Sequence, residues 1–156
     1  MTRRNEFPRP DFRREDWLCL NGTWEFSMDK DGSCSLEQGL AGRYGVEIEV
    51  PFCYQSQLSN IGIQEDCPVV WYRRKVVLKK TSGKRILLKF GAVDHKASVW
   101  VNQSFVGSHE GGYSPFTLDI TDAAADGENT IVVRAEDYPC AGQPRGKQTW
   151  AGENFA

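Results

Sequence analysis

The sequence predicts an all-β fold, a β-sandwich of jelly-roll type, and three observations carry that reading. Apolar and polar residues alternate with a period of two in one short segment after another, as strands with one buried face require. Sustained 3.6-residue periodicity is nearly absent. The 15 glycines and seven prolines fall mostly between the alternating segments, where the chain must turn.

Taken in order, residues 17–20 and 23–27 bracket Asn21-Gly22, a dipeptide suited to a two-residue hairpin, and predict a strand on each side. Residues 46–50 alternate strictly and stop at Pro51. Residues 69–78 are β-branched and aromatic, with charges that interrupt any helical stripe. Ile86, Leu88 and Phe90 share one face of the next segment, with Arg85 and Lys89 opposite. Residues 97–101 and 104–107 flank Asn102-Gln103, a second hairpin turn. Residues 115–120 and 130–135 repeat the rhythm. Between them Thr121 or Asp122 can cap one helical turn through Ala125. The count is roughly eight short strands, with no repeat and no low-complexity tract.

A length of 156 residues suits one domain with a real core. Five Trp, five Tyr and eight Phe are too many for a chain that stays solvated. A mean hydropathy of −0.51 with no long apolar run predicts no membrane span, and no secretory leader is expected from the opening residues. A net charge of −2 argues against a nucleic-acid partner. The five cysteines are odd in number, and no two stand at C-x-x-C spacing. That signals neither a disulfide framework nor zinc, and fits reduced thiols in the cytoplasm. Asn21-Gly22-Thr23 and Asn102-Gln103-Ser104 have the form of glycosylation acceptors, but both also read as turns, and the turn reading is favoured.

Candidate chemistry is sparse. The two histidines each adjoin a carboxylate, Asp94-His95 and His109-Glu110, but neighbours in a strand point to opposite faces and do not readily converge on one ion. No metal and no cofactor are expected. Ser108 sits in a Gly-Ser-His-Glu-Gly run without the strand-turn-helix context of a nucleophile elbow. The run Arg73-Arg74-Lys75 reads as a solvated strand face. Two segments resist a purely structural reading: the polar loop 109–116, with two glycines and two aromatics, and 134–150, which opens as a strand and becomes a Pro/Gly-punctuated excursion.

These segments belong to an ordered series: LNGTWEF at 20–26, VPFCYQS at 50–56, VWYRR at 70–74, Val93-Asp94 with ASVWVN at 97–102, HEGGY at 109–113 with Pro115-Phe116, DIT at 119–121, and QPRGKQ at 143–148 with Trp150. The series resembles the amino-terminal domain of glycoside hydrolase family 2, which includes β-galactosidases and β-glucuronidases, and it spans about residues 15–150. His95 and Asn102-Gln103 depart from the family's usual Tyr and Asn-Gly.

The resemblance implies a galactose-binding-domain-like jelly roll at the front of a retaining β-glycosidase. Residues 1–14 would form an N-terminal arm and 15–156 the sandwich, cut one strand short; the immunoglobulin-like and (β/α)8 barrel domains lie outside this chain. The two catalytic carboxyls would sit in that barrel, so no catalytic residue is assigned and the chain alone is expected to be inactive. The partners implied are the carbohydrate substrate and the enzyme's own barrel and immunoglobulin-like domains. Asp137, just after the strand at 131–135, matches where family enzymes place an aspartate that contacts a sugar hydroxyl; the alternative is a strand-end cap before Pro139. Arg145 and Lys147 lie in the matching loop, to shape the barrel mouth or pair with its carboxylates, and Trp150 would stack on a sugar or, the favoured reading, anchor the loop. Two alternatives stay open: a freestanding carbohydrate-binding module and a purely structural interface domain.

Overall fold

A computed structural model describes residues 16–138. The elements run β1 (Gly22–Asp29), α1 (Leu36–Ala41), β2 (Val46–Val50), a 3₁₀ turn (Gln57–Ser59), β3 (Val69–Leu78), β4 (Leu87–Phe90), β5 (Lys96–Val101), β6 (Ser104–Glu110), β7 (Phe116–Asp119) and β8 (Gly127–Glu136). Six strands form one antiparallel sheet in the order β2-β1-β3-β8-β5-β6, and β4 pairs with β7 in a second. The two sheets make the all-β sandwich that the alternation predicts.

Register explains the core. Phe26 lies opposite Tyr72, Tyr72 opposite Val133, and Val133 opposite Val99, so one face of the large sheet carries a continuous apolar row. Phe26, Ile48, Val99, Val101 and Ile131 are fully buried there. Each such side chain contributes about 1.5–3 kcal/mol relative to exposure. Leu88, Phe90 and Leu118 of the small sheet pack against the same cluster. The sheets pack tightly at Gly107, where a β-carbon would come within 2.7 Å of Leu118 Cδ2. Alternation thus placed Ile86, Leu88 and Phe90 on the inner side, as their spacing requires.

The opposite face carries a smaller cluster of Val69, Trp71, Trp100 and Val132, with Leu40 and Tyr44 packed against it. Helix α1 covers part of this face. The helix is absent from the period-based reading because its six residues are too few to show an apolar stripe. Its start was nevertheless written in the sequence. Ser35 Oγ accepts from Gln38 N, and Gln38 Oε1 accepts from Ser35 N, the reciprocal capping box.

One hairpin does not form. Residues 17–20 are not a strand, and Gly22 opens β1 with φ 114° instead of occupying a turn. The upstream segment is tied by its backbone: Trp24 Nε1 donates to Leu20 O at 2.7 Å. The second hairpin forms as expected, Asn102 and Gln103 both taking positive φ between β5 and β6. The turn at 121–125 contains one helical hydrogen bond, from Ala124 N to Ile120 O at 2.8 Å. Among the described residues no helix is long and apolar enough to cross a membrane.

Candidate functional site

The antiparallel registers bring several strand ends to one pole of the sandwich. Val69 opens β3 opposite Glu136 at the close of β8; Glu136 also faces Lys96, and Lys96 faces Glu110. Phe90 and Phe116 pair at the same pole. Hence the connections 91–95 and 111–115 and residues 137–138 converge there, bringing the polar loop 109–116 beside the described start of the 134–150 segment.

Backbone bonds fix these connections. His95 N donates to Glu136 O at 3.1 Å and Gly111 N to His95 O at 2.8 Å, so both ladders of β5 run on by one residue. Asp137 N donates to Pro68 O at 2.9 Å, extending β8 along β3. Gly112 lies against Asp94: a β-carbon there would stand 2.2 Å from Oδ1. His109 Nε2 is 3.0 Å from Ser114 Oγ, and the imidazole stacks on Phe116 at 4.5 Å. Phe116 in turn stacks on Phe90 at 4.6 Å.

The electrostatics single out one pair. Burial pushes the Asp94 carboxyl above the ordinary carboxylate range, and the charge of Asp137 pushes it further, against the opposing influence of His95. These two carboxylates stand on different connections at the pole. Ionised carboxylates only accept hydrogen bonds, and the hydroxyls of a sugar diol donate them. On the outer face of β8, Arg134 Nη1 is instead ion-paired with Glu136 while its guanidinium lies over the Trp71 ring.

The structure places Asp137 at this pole, immediately beyond β8. Arg145, Lys147 and Trp150 lie outside the described residues. His95 and His109 reach the same pole by backbone and side chain respectively, and among the described residues no three His, Cys, Asp or Glu side chains are grouped to hold a metal. Ser108 sits within β6 opposite Ser98, whereas the hydroxyl that meets His109 is that of Ser114. The basic run 73–75 does alternate faces, but Arg73 and Arg74 are not simply solvated. Arg73 is bound to Glu25, and Arg74 donates to Leu20 O and Asn21 O. Asn102 is a bracket of the fold, donating to Ala123 O and Asn129 Oδ1 and accepting from Thr130 N.

The sequence offers Asp94 as half of a metal motif and as one member of the ordered series, without a sign that it shares a pole with Asp137. No local signal reveals it, because it depends on β5 lying beside β8. Gly112 was visible as one of two adjacent glycines, without a reason for it. The reason is the Asp94 carboxylate.

Residues 18–139 match the family described as glycosyl hydrolases family 2, sugar binding domain. A β-glucuronidase of Paenibacillus borealis is 33% identical over 133 residues, covering 81% of this chain and 22% of that protein. A β-galactosidase of Thermoanaerobacter pseudethanolicus is 42% identical over 129 residues, covering 78% and 16%. Among solved structures, the Bifidobacterium dentium β-glucuronidase complexed with coumarin-3-O-glucuronide superposes with a TM-score of 0.67 at 31% identity, over 75% of this chain and 19% of that one. The chain spans about a fifth of the length of such relatives.

Proposed function

This chain belongs to glycosyl hydrolase family 2 as its sugar-binding domain, and from that premise we propose that it is the non-catalytic N-terminal domain of a retaining β-glycosidase. It helps to complete a substrate pocket whose acid/base and nucleophile stand on a barrel elsewhere in the enzyme. Its partners are the carbohydrate substrate and the enzyme's own barrel and immunoglobulin-like domains, and no cofactor enters the reading.

The observation that carries the proposal is the placing of Asp94 and Asp137 at one pole, on connections braced by backbone bonds on either side of the β5–β8 ladder. Asp137 accepts a hydrogen bond from a sugar hydroxyl, with Arg145 and Lys147 following in the sequence to line the pocket mouth. The length of the relatives supports a division of labour, since most of each glycosidase lies beyond the part that this chain matches.

The test is kinetic. In the full-length enzyme, Asp137→Ala lowers kcat/KM on aryl β-glycosides by roughly 10- to 100-fold, the loss of one charged hydrogen bond in the transition state. The purified 156-residue chain turns over neither aryl β-galactosides nor aryl β-glucuronides. Unchanged kinetics for the variant, or turnover by the chain beyond trace contamination, overturns the reading.

A further inference from the structure

Tyr113 is 87% exposed, the most exposed of the large hydrophobic side chains among the described residues. It stands at the apex of the 111–115 connection, between a glycine seated on a carboxylate and a serine bonded to an imidazole. Gly111 is bonded to His95, Gly112 abuts Asp94, and Ser114 contacts His109, itself stacked on Phe116. The ring is therefore carried on a connection braced at residues 111, 112 and 114, one position from the glycine seated on the Asp94 carboxylate.

A broad apolar ring presented to solvent beside hydrogen-bond acceptors matches one ligand chemistry closely. A pyranose has a face of C–H groups and a rim of hydroxyls. The face stacks on an aromatic ring, and the rim donates to carboxylates. We propose that Tyr113 is a sugar-stacking platform, its ring taking the C–H face of a pyranose whose hydroxyls donate to Asp94 and Asp137. This rests on the pocket-completing reading above, and adds to it the surface against which the sugar lies.

In the full-length glycosidase, Tyr113→Ala raises KM for a 4-nitrophenyl β-glycoside by roughly 3- to 10-fold, the worth of one stacking contact, and the effect falls on KM more than on kcat. Tyr113→Phe keeps the ring and recovers most of what alanine loses. Asp137→Ala run in parallel separates the two claims. A loss for Asp137→Ala with none for Tyr113→Ala overturns the platform and leaves the pocket reading standing. A loss for Tyr113→Ala alone supports the platform and removes Asp137 from the pocket; no loss for either overturns both. If Tyr113→Phe is as impaired as alanine, or if Tyr113→Ala lowers Tm while KM holds, the ring serves the hydroxyl or the packing instead, and the platform is overturned.

Discussion

Arg73 and Glu25, directly opposed on β3 and β1, form a two-point ion pair: Nε donates to Oε2 at 2.6 Å and Nη2 to Oε1 at 3.0 Å. The same guanidinium donates to Gly42 O at 2.9 Å and lies 4.2 Å from the Tyr44 ring centroid. One side chain thus joins two strands to the turn that follows α1.

The pair makes stability depend on pH with a definite sign. The hydrogen bond from Arg73 holds the Glu25 carboxyl below its ordinary 4.5. A depressed carboxylate contributes fully above that value and loses its contribution as pH falls through the folded-state value. Glu25 is 43% exposed, so screening limits the cost of Glu25→Gln to about 1 kcal/mol at neutral pH. Between pH 6 and pH 3 the urea midpoint of the native chain falls more steeply than that of the variant. Parallel curves would count against the pairing.

Gly39→Ala inverts the usual helix rule. An alanine in a helix interior normally gains about 0.5–1 kcal/mol over glycine. Here its β-carbon would meet the Trp71 ring at 2.3 Å, inside the cluster that seats α1. Overpacking of this kind costs about 1–3 kcal/mol, read as a lower Tm. Gly45→Ala, which meets nothing within 4 Å, is the control. Equal melting of the two variants would refute the contact.

Asn129→Ala should be among the more damaging single changes. The side chain is 1% exposed and accepts from Ala125 N and Asn102 Nδ2 while donating to Ala125 O and Gly127 O. Truncation strands several buried polar groups at about 1–3 kcal/mol apiece for those that water cannot reach. Chemical denaturation of the variant reads the loss directly, and a change under about 0.5 kcal/mol, the level of an ordinary surface substitution, would contradict it.

Asp119 offers a titration. The Thr121 hydroxyl, then the Thr121 amide, then the Arg85 guanidinium draw its carboxyl down to about 2. Thr121→Val removes the first of these, so the midpoint rises towards 3.8. Carbon-13 NMR of the carboxyl reports it. Any stability the group adds is present above the ordinary carboxylate range and vanishes as pH falls towards 2. A midpoint that does not move on substitution would remove the hydroxyl from the account.

Which parts of this were legible in the sequence follows from the range of the interactions. The strand Val69–Leu78 was read residue for residue, because alternation and β-branching are local. The turn at Asn102-Gln103 was read for the same reason. Asn21-Gly22 misled because a hairpin dipeptide can equally let a strand begin at the glycine, once a tryptophan indole holds the preceding carbonyl. Helix α1 was missed by period yet marked by Ser35 and Gln38. Asp137 was singled out as a site residue by the family resemblance, which implies an aspartate just after the strand at 131–135. Its neighbour Asp94 was not, since their meeting depends on strand order, which alternation does not encode.

The continuation of both β5 ladders through His95 has a consequence for molecular recognition. Amides of His95, Gly111 and Asp137 should resist hydrogen exchange like those of strands, although they lie where loops begin. A ligand arriving at that pole meets groups whose conformational freedom was already given up during folding. Its association therefore forgoes much of the ordering cost that mobile loops impose, about 0.5–1.5 kcal/mol for each flexible side chain immobilised on contact.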